Sequence, residues 1–378
     1  MKIAILTLSL YANYGGNLQA YALLTALKEM GHDAWYLNRE RHRVPSWQVP
    51  VVLAKRIFKK FVLGGKVKLR SGLFNQRERA IVAKHSREFI STYIQPQTPE
   101  FLSTASLVTG FGKLDFDAVI VGSDQVWRQR FVKDNLTDYY LGFLAPSDST
   151  TKRISYAASF GTSDWEYSDQ ETKDCRALIQ RFDAVSVRES SGVELCEQKF
   201  GRQAEHVIDP TMLLTASHYT ALIPNPGESF NGILVYILDL DDEKKRVIDA
   251  VAEKLGLPVF QVNGNAADRS APPHLRVAPP VEEWLRGFRD AQFVITDSFH
   301  GSVFSIIFNK PFLAYGNPTR GMARFSSLLD MFGLGERLIS SSADLNGDHF
   351  SSPDWERVNA RLSEEQQHAR WFLKKALE

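Results

Sequence analysis

Gln292–Phe293–Val294–Ile295–Thr296–Asp297–Ser298–Phe299–His300–Gly301–Ser302 reads as an apolar strand that enters a tight polar turn and leaves it as an apolar helix, Val303 to Phe308. The turn delivers a histidine to the helix start. There the ring lies beside backbone N–H groups that have no partner within the helix. Such a place can bind an anion and move a proton.

Outward from this block, strand-like and helix-like segments alternate. Gly232–Leu238 and Pro258–Val262 read as strands around the helix Asp242–Leu255. Val281–Arg289 reads as a helix and Pro311–Tyr315 as a strand. The N-terminal half repeats the pattern. Lys2–Leu8 is a buried strand, and Asn17–Met30 is a helix ended by Gly31. Asp33–Asn38, Asp117–Val121, Lys152–Ala157, Asp183–Val187 and Glu205–Ile208 are further strands, with helices at about 169–181 and 189–200. Short buried strands between helices imply α/β units with parallel sheets covered on both faces. The expected organisation is one unit over 1–225, a linker at Ile223–Pro224–Asn225–Pro226–Gly227, and a second unit over 230–350. Residues 39–110 read as a helical, basic insertion in the first unit, with a helix from Phe74 to Tyr93. The amphipathic stretch Pro353–Leu377 carries Trp355, Val358, Leu362, Phe372 and Leu373 and needs a groove. As the helix of 353–378 it is expected to cross back onto the first unit.

The 378 residues carry 45 Lys and Arg against 44 Asp and Glu, a net charge of +1, which argues against non-specific nucleic-acid binding. The cysteines, Cys175 and Cys196, lack metal spacing and read as reduced core thiols, which suits a reducing cytosol. Ile3–Leu8 is too short for a signal peptide and lacks a small-residue cleavage site. No run approaches the roughly 20 apolar residues of a membrane span. A cytoplasmic protein is expected.

In open α/β sheets ligands bind beyond the carboxyl ends of the strands. Polar residues follow strand after strand: Asn13–Tyr14–Gly15–Gly16–Asn17, Gly122–Ser123–Asp124, Ser159 with Gly161, Arg188–Glu189–Ser190, and Asp209–Pro210–Thr211. Five such turns on one rim point to a cleft. Ser123, Asp124, Ser190 and Asp209 are equally good helix caps, and the glycines can simply make a turn. Neither a G-x-G-x-x-G fingerprint nor a Walker sequence is present. Arg188 is no capping type; it offers a fork to a carboxylate or phosphate, or else makes a structural salt bridge. Arg320 and Arg324 share the second unit's rim. At His300 the helix dipole disfavours the imidazolium and a bound anion favours it, so an arriving anionic substrate arms a proton donor. The acids Asp239–Leu240–Asp241–Asp242 hold a D-x-D pattern but read as a helix cap. Residues 55–70 alternate basic and apolar side chains and suit either an anionic membrane surface or a solvated face.

Tyr14–Gly15–Gly16–Asn17–Leu18–Gln19–Ala20, Gly122–Ser123–Asp124–Gln125–Val126–Trp127, Ser186–Val187–Arg188–Glu189, Val207–Ile208–Asp209–Pro210–Thr211 and Thr296–Asp297–Ser298–Phe299–His300–Gly301 together resemble the polysaccharide pyruvyl transferase family, over about 1–35 and 115–315. The resemblance implies two Rossmann-like domains facing a cleft, similar to GT-B glycosyltransferases. It implies transfer of pyruvate from phosphoenolpyruvate to sugar hydroxyls as a cyclic ketal, in exopolysaccharide or capsule synthesis. Many members carry Arg-Leu-His where this chain has Ser298–Phe299–His300; if that arginine binds the donor in the family, another cation must replace it here, and Arg320 or Arg324 could do so.

On this footing His300, Arg188 and Asp124 are the expected catalytic groups. Arg188, Ser298, His300, Gly301, Ser302, Arg320 and Arg324 form the expected donor site on the second domain's side. Tyr14, Gly15, Gly16, Asn17, Ser123, Asp124, Trp127 and Ser159 form the acceptor side. The expected partners are phosphoenolpyruvate and a glycan or lipid-linked saccharide. No metal or cofactor is required, and a peripheral membrane contact runs through 55–70. The rival readings are a nucleotide-sugar glycosyltransferase of the same architecture and a non-catalytic glycan-binding protein.

Overall fold

Ala118–Val121, four consecutive apolar residues, is buried throughout, as a strand covered on both faces must be. In the computed structural model, which describes residues 1–40, 49–61, 76–145, 150–223, 229–262, 271–316 and 321–378, it is the third strand of a parallel six-stranded sheet ordered β2-β1-β3-β4-β5-β6. The strands are β1 (Lys2–Leu6), β2 (Asp33–Tyr36), β3 (Ala118–Val121), β4 (Lys152–Ala158), β5 (Ala184–Val187) and β6 (Glu205–His206). A second parallel sheet, ordered β11-β10-β9-β7-β8, is built from β7 (Ile233–Tyr236), β8 (Val259–Phe260), β9 (Phe293–Thr296), β10 (Phe312–Tyr315) and β11 (Leu338–Ile339). Each sheet with its helices forms a lobe.

Register brings the strand ends level. Leu6 lies opposite Val121, and Val121 opposite Ser155. Tyr236 pairs with Thr296, and Thr296 with Ala314. The turns after β1, β3, β4, β5 and β6 therefore form one rim, and the turns after β7 and β9 form the other. A bulge in β4, with Ala157 at φ 51°, shifts the pairing with β5 near the rim.

The helix Tyr14–Glu29 starts earlier than the sequence pattern indicates, because Asn13 takes the extended N-cap conformation and accepts the Asn17 N–H. Gly15 and Gly16 thus lie in the first helical turn instead of forming a loop. The helix expected over Phe74–Tyr93 is broken at Ala83 into Gln76–Val82 and Lys84–Tyr93. β1 ends at Leu6 because the Thr7 hydroxyl turns inward to the Ser123 carbonyl, 2.8 Å away. The linker from Pro224 onward and the basic stretch 62–70 lie outside the described residues.

The C-terminal helix Trp355–Leu377 connects the lobes. Near its start Arg357 donates to the Gly333 carbonyl beside the second sheet. Further on, Gln366 and Arg370 donate to the carbonyls of Met212 and Leu213, and Phe372 packs on Tyr156 of β4. Of its apolar stripe, Val358, Phe372 and Leu373 are each at most 3% exposed, while Trp355 and Leu362 are half-buried.

Candidate active site between the lobes

The turn after β9 is set by its own side chains. Thr296 Oγ1 donates to the Tyr236 carbonyl and accepts the Ser298 N–H. Asp297 faces away from the opposite lobe. Its carboxylate accepts from the N–H groups of Leu238 and Asp239 and from Lys244 Nζ, so it latches β9 to the end of β7. Position 301 must be glycine, since a β-carbon there would lie 2.1 Å from Thr296 Oγ1. The helix Phe299–Ile307 then begins with the His300 ring pointing at the first lobe. Gly15 receives it: a β-carbon at 15 would fall 2.0 Å from His300 Nδ1.

The first lobe answers with a carboxylate. Asp209, after β6, is 1% exposed and divides its oxygens between two tasks. Oδ1 caps the turn Pro210–Leu213, accepting from the Thr211 N–H at 3.0 Å and from Thr211 Oγ1 at 2.7 Å. Oδ2 accepts from Arg188 Nη1 at 2.8 Å and Ser123 Oγ at 3.0 Å, and lies 3.7 Å from His300 Nε2. The last distance is long for a hydrogen bond and within reach of an ion pair once the ring is protonated.

Arg188 is buried, and only Nη1 is engaged by the carboxylate and by Ser123. Its Nε and Nη2 are buried without a hydrogen-bond partner, as are His300 Nε2 and Ser302 Oγ. The guanidinium lies over the Phe299 ring at 4.3 Å, and that of Arg324 stands 5.7 Å from the same ring. Such contacts hold a cation against an aromatic face without consuming its donors.

Burial pulls the His300 pKa below the ordinary histidine value. Asp209 and Asp124 oppose this, and Arg188 and Arg324 reinforce it. Burial raises the Asp209 pKa, but His300 and Arg188 outweigh it and hold the carboxyl below its usual range. Burial and the neighbouring Arg188 weaken the proton affinity of Arg324. Arg188 and Arg324 thus stand in one another's field, and the carboxylates of Asp209, Glu189 and Asp124 offset them.

Asp124 lies on the same rim with a left-handed backbone, φ 69°, and accepts the Gln125 N–H. Tyr14 bridges the lobes by donating to the Pro279 carbonyl at 2.7 Å and stacking on Trp284. Gly16 packs on the Asn13 amide. Asn17 is buried and its Nδ2 donates to the Tyr11 carbonyl, a helix-start contact. Ser298 is nearly buried at the turn.

Two acceptor-side expectations are corrected. Trp127 is fully buried, stacks on Tyr140 and donates its indole N–H to the Tyr139 carbonyl; its apolar area fills the first lobe's core and reaches no cleft. Ser159 is likewise fully buried, and its hydroxyl donates to Glu189 at 2.9 Å. Arg320 lies outside the described residues. Asp241, in the acidic run, caps its helix by accepting the Lys244 N–H. Among the described residues no group of three or more His, Cys, Asp or Glu is placed to hold a metal ion, and no described helix is long and apolar enough to cross a membrane.

The sequence places Asp209 on the rim as either a cap or a ligand contact and Glu189 in a polar turn without a role; in the structure Glu189 Oε1 accepts from Ser159 Oγ and the Gly161 N–H. The cap motif itself was visible. The use of the second oxygen depends on which strand ends meet.

The family model for polysaccharide pyruvyl transferase matches residues 13–318 of the chain. Among solved structures, Arabidopsis thaliana UGT89C1 complexed with UDP-L-rhamnose superposes with a TM-score of 0.50 at 11% identity, covering 99% of this chain and 97% of that one. The co-structure of S. aureus MnaA with UDP gives 0.49 at 13% identity, over 96% and 91%. The UDP-GlcNAc 2-epimerase of Methanocaldococcus jannaschii gives 0.46 at 11%, over 96% and 92%. At these identities the likeness is one of fold, a GT-B-like pair of α/β lobes. No curated protein sequence matches the chain.

Proposed function

The chain belongs to the polysaccharide pyruvyl transferase family, and from that premise we propose that it transfers pyruvate from phosphoenolpyruvate to two hydroxyls of a sugar, forming a ketal and releasing phosphate. The observation that carries this reading is the free edge of Arg188. With Nη1 held by Asp209, the adjacent Nε–H and Nη2–H form a preset fork, buried and unpartnered, beside an unpartnered His300 Nε2. A buried donor pair without an acceptor costs about 1–3 kcal/mol per group. A carboxylate or phosphate would satisfy it bidentately. Phosphoenolpyruvate carries both groups.

The chemistry follows from these positions. A general acid protonates the methylene carbon of the donor, and the neighbouring carbon becomes cation-like. A sugar hydroxyl adds there and gives its proton to a base. The carbon–oxygen bond to phosphate breaks, phosphate leaves with its electron pair, and the second hydroxyl adds to the oxocarbenium carbon that remains, giving its proton to the departing phosphate and closing the ring. We assign the acid to His300, whose proton is favoured once an anion is bound, and the base to Asp124 on the opposite rim. Arg188 clamps one acidic group, and Arg324, also beside the Phe299 ring, serves in place of the arginine that many relatives carry where Ser298 stands. Ser302 Oγ and the N–H groups at the start of the His300 helix supply further donors. Gly15 stands opposite the His300 ring, and the acceptor would enter from that side.

Incubation with phosphoenolpyruvate, with and without glycan acceptors, tests the reading. Acceptor-dependent release of inorganic phosphate is expected. Turnover of a nucleoside-diphosphate sugar without use of phosphoenolpyruvate would replace it with glycosyl transfer.

A further inference from the structure

A carboxylate that only capped a turn would need one oxygen, and caps are normally wet. Asp209 is fully enclosed, and burying a charge is expensive unless it is paired. Its capping oxygen faces Thr211, while the other faces Ser123, Arg188 and His300. Three of these partners stand on the first sheet's rim. His300 alone comes from the second lobe.

We propose that Asp209 is a positioning residue for the transfer reaction, holding Arg188 with its free edge toward the donor and strengthening the proton affinity of the His300 ring across the lobe boundary. The inference rests on His300 acting as proton donor in the function proposed above. The other charged groups acting on the ring are Asp124 from the turn after β3, Arg188 from the turn after β5 and Arg324 from the helix Met322–Phe332; the helix Tyr14–Glu29 presents Gly15. Asp124 acts in the same sense as Asp209 and the two arginines act against it. Among the charges Asp209, 3.7 Å from Nε2, acts most strongly on the ring, against the larger effect of burial.

The test is the NMR titration of His300 in the full chain without substrate, in wild type, Asp209→Asn and Ser123→Ala. An opposite charge at this range moves a titration by about one unit or more. Asp209→Asn is expected to lower the His300 midpoint by about that much and to raise KM for phosphoenolpyruvate while lowering kcat. Ser123→Ala removes a donor that competes for Oδ2, so the midpoint is expected to rise by a few tenths of a unit, roughly. Opposed shifts support the proposal. If neither variant moves the titration, Asp209 is a turn cap and the proposal falls. If Asp209→Asn does not fold, the sign of the Ser123→Ala shift decides alone. Phosphate release by the wild type is a separate readout: opposed shifts without any release from phosphoenolpyruvate would sink the transfer reading and leave the coupling of Asp209 to His300 standing.

Discussion

Gly15 lies against the imidazole of His300, so close that a β-carbon at position 15 would overlap its Nδ1. One residue belongs to the first turn of the first lobe's leading helix and the other to the first turn of a helix in the second lobe. The absent side chain is what lets the two lobes meet at the candidate proton donor. Gly15→Ala is expected to lower kcat/KM at least tenfold and to cost about 1–3 kcal/mol in stability through overpacking. Phosphate-release kinetics and thermal melts measure both. An alanine variant with unchanged kinetics would mean that the close approach is not used in turnover.

His300→Ala is expected to abolish transfer, a loss of about 10²–10⁴-fold in kcat for removal of a general acid, in a protein that stays folded. Near-normal turnover would take His300 out of the mechanism. The residue also predicts a pH effect on stability. Its folded pKa is depressed by burial, so the unfolded chain binds this proton more readily. Its contribution is complete above the unfolded value of about 6.5 and is lost as pH falls through the folded value. Between about pH 7.5 and 5, wild type is expected to lose more thermal stability than His300→Gln. Equal losses would contradict the depressed pKa.

Binding of an anionic donor next to His300 favours the imidazolium, so phosphoenolpyruvate is expected to raise the ring's titration midpoint and to be taken up together with a proton. Calorimetry in buffers of different ionisation enthalpy measures the uptake near neutral pH. The same histidine midpoint with and without donor would refute the arming of the acid by its substrate.

Arg188→Lys keeps the charge and loses the fork. With the ammonium drawn to Asp209, KM for phosphoenolpyruvate is expected to rise by about tenfold or more while the fold persists. Arg188→Ala differs in kind, because it leaves Asp209 uncompensated in a buried site, and a stability loss of about 3–5 kcal/mol is expected. Similar KM values for wild type and Arg188→Lys would show that the free edge does not hold the donor.

The helix Val49–Phe61 leaves Val51, Ile57 and Phe58 exposed beside Lys55. Such a face suits an anionic bilayer and a lipid-linked acceptor. Co-sedimentation with anionic vesicles at low salt, weakening as salt rises, is the expected result; no sedimentation at low salt would remove the membrane from the scheme.

The order of strands and helices was readable because it is local. Asp242–Leu255 is flanked directly by its caps, Asp241 and Gly256, and carries its apolar stripe within the segment, and Phe293–Thr296 is buried on both faces. The His300 turn was readable for the same reason. Trp127 and Ser159 misled because a rim residue and a core residue can stand side by side in the chain; only the packing of Tyr140 and Glu189 turns them inward.

From the sequence alone followed two parallel sheets, a returning C-terminal helix and a set of polar strand ends, since hydrophobic periodicity sets these over short distances. Which polar ends face one another was settled in three dimensions. Asp209 looks like any helix cap, and becomes the partner of Arg188 and His300 because parallel register levels the strand ends and the lobes close with Gly15 against the ring. A carboxylate's neighbours across a cleft leave no periodic trace in the chain, and the electrostatics of a buried site depend on those neighbours above all.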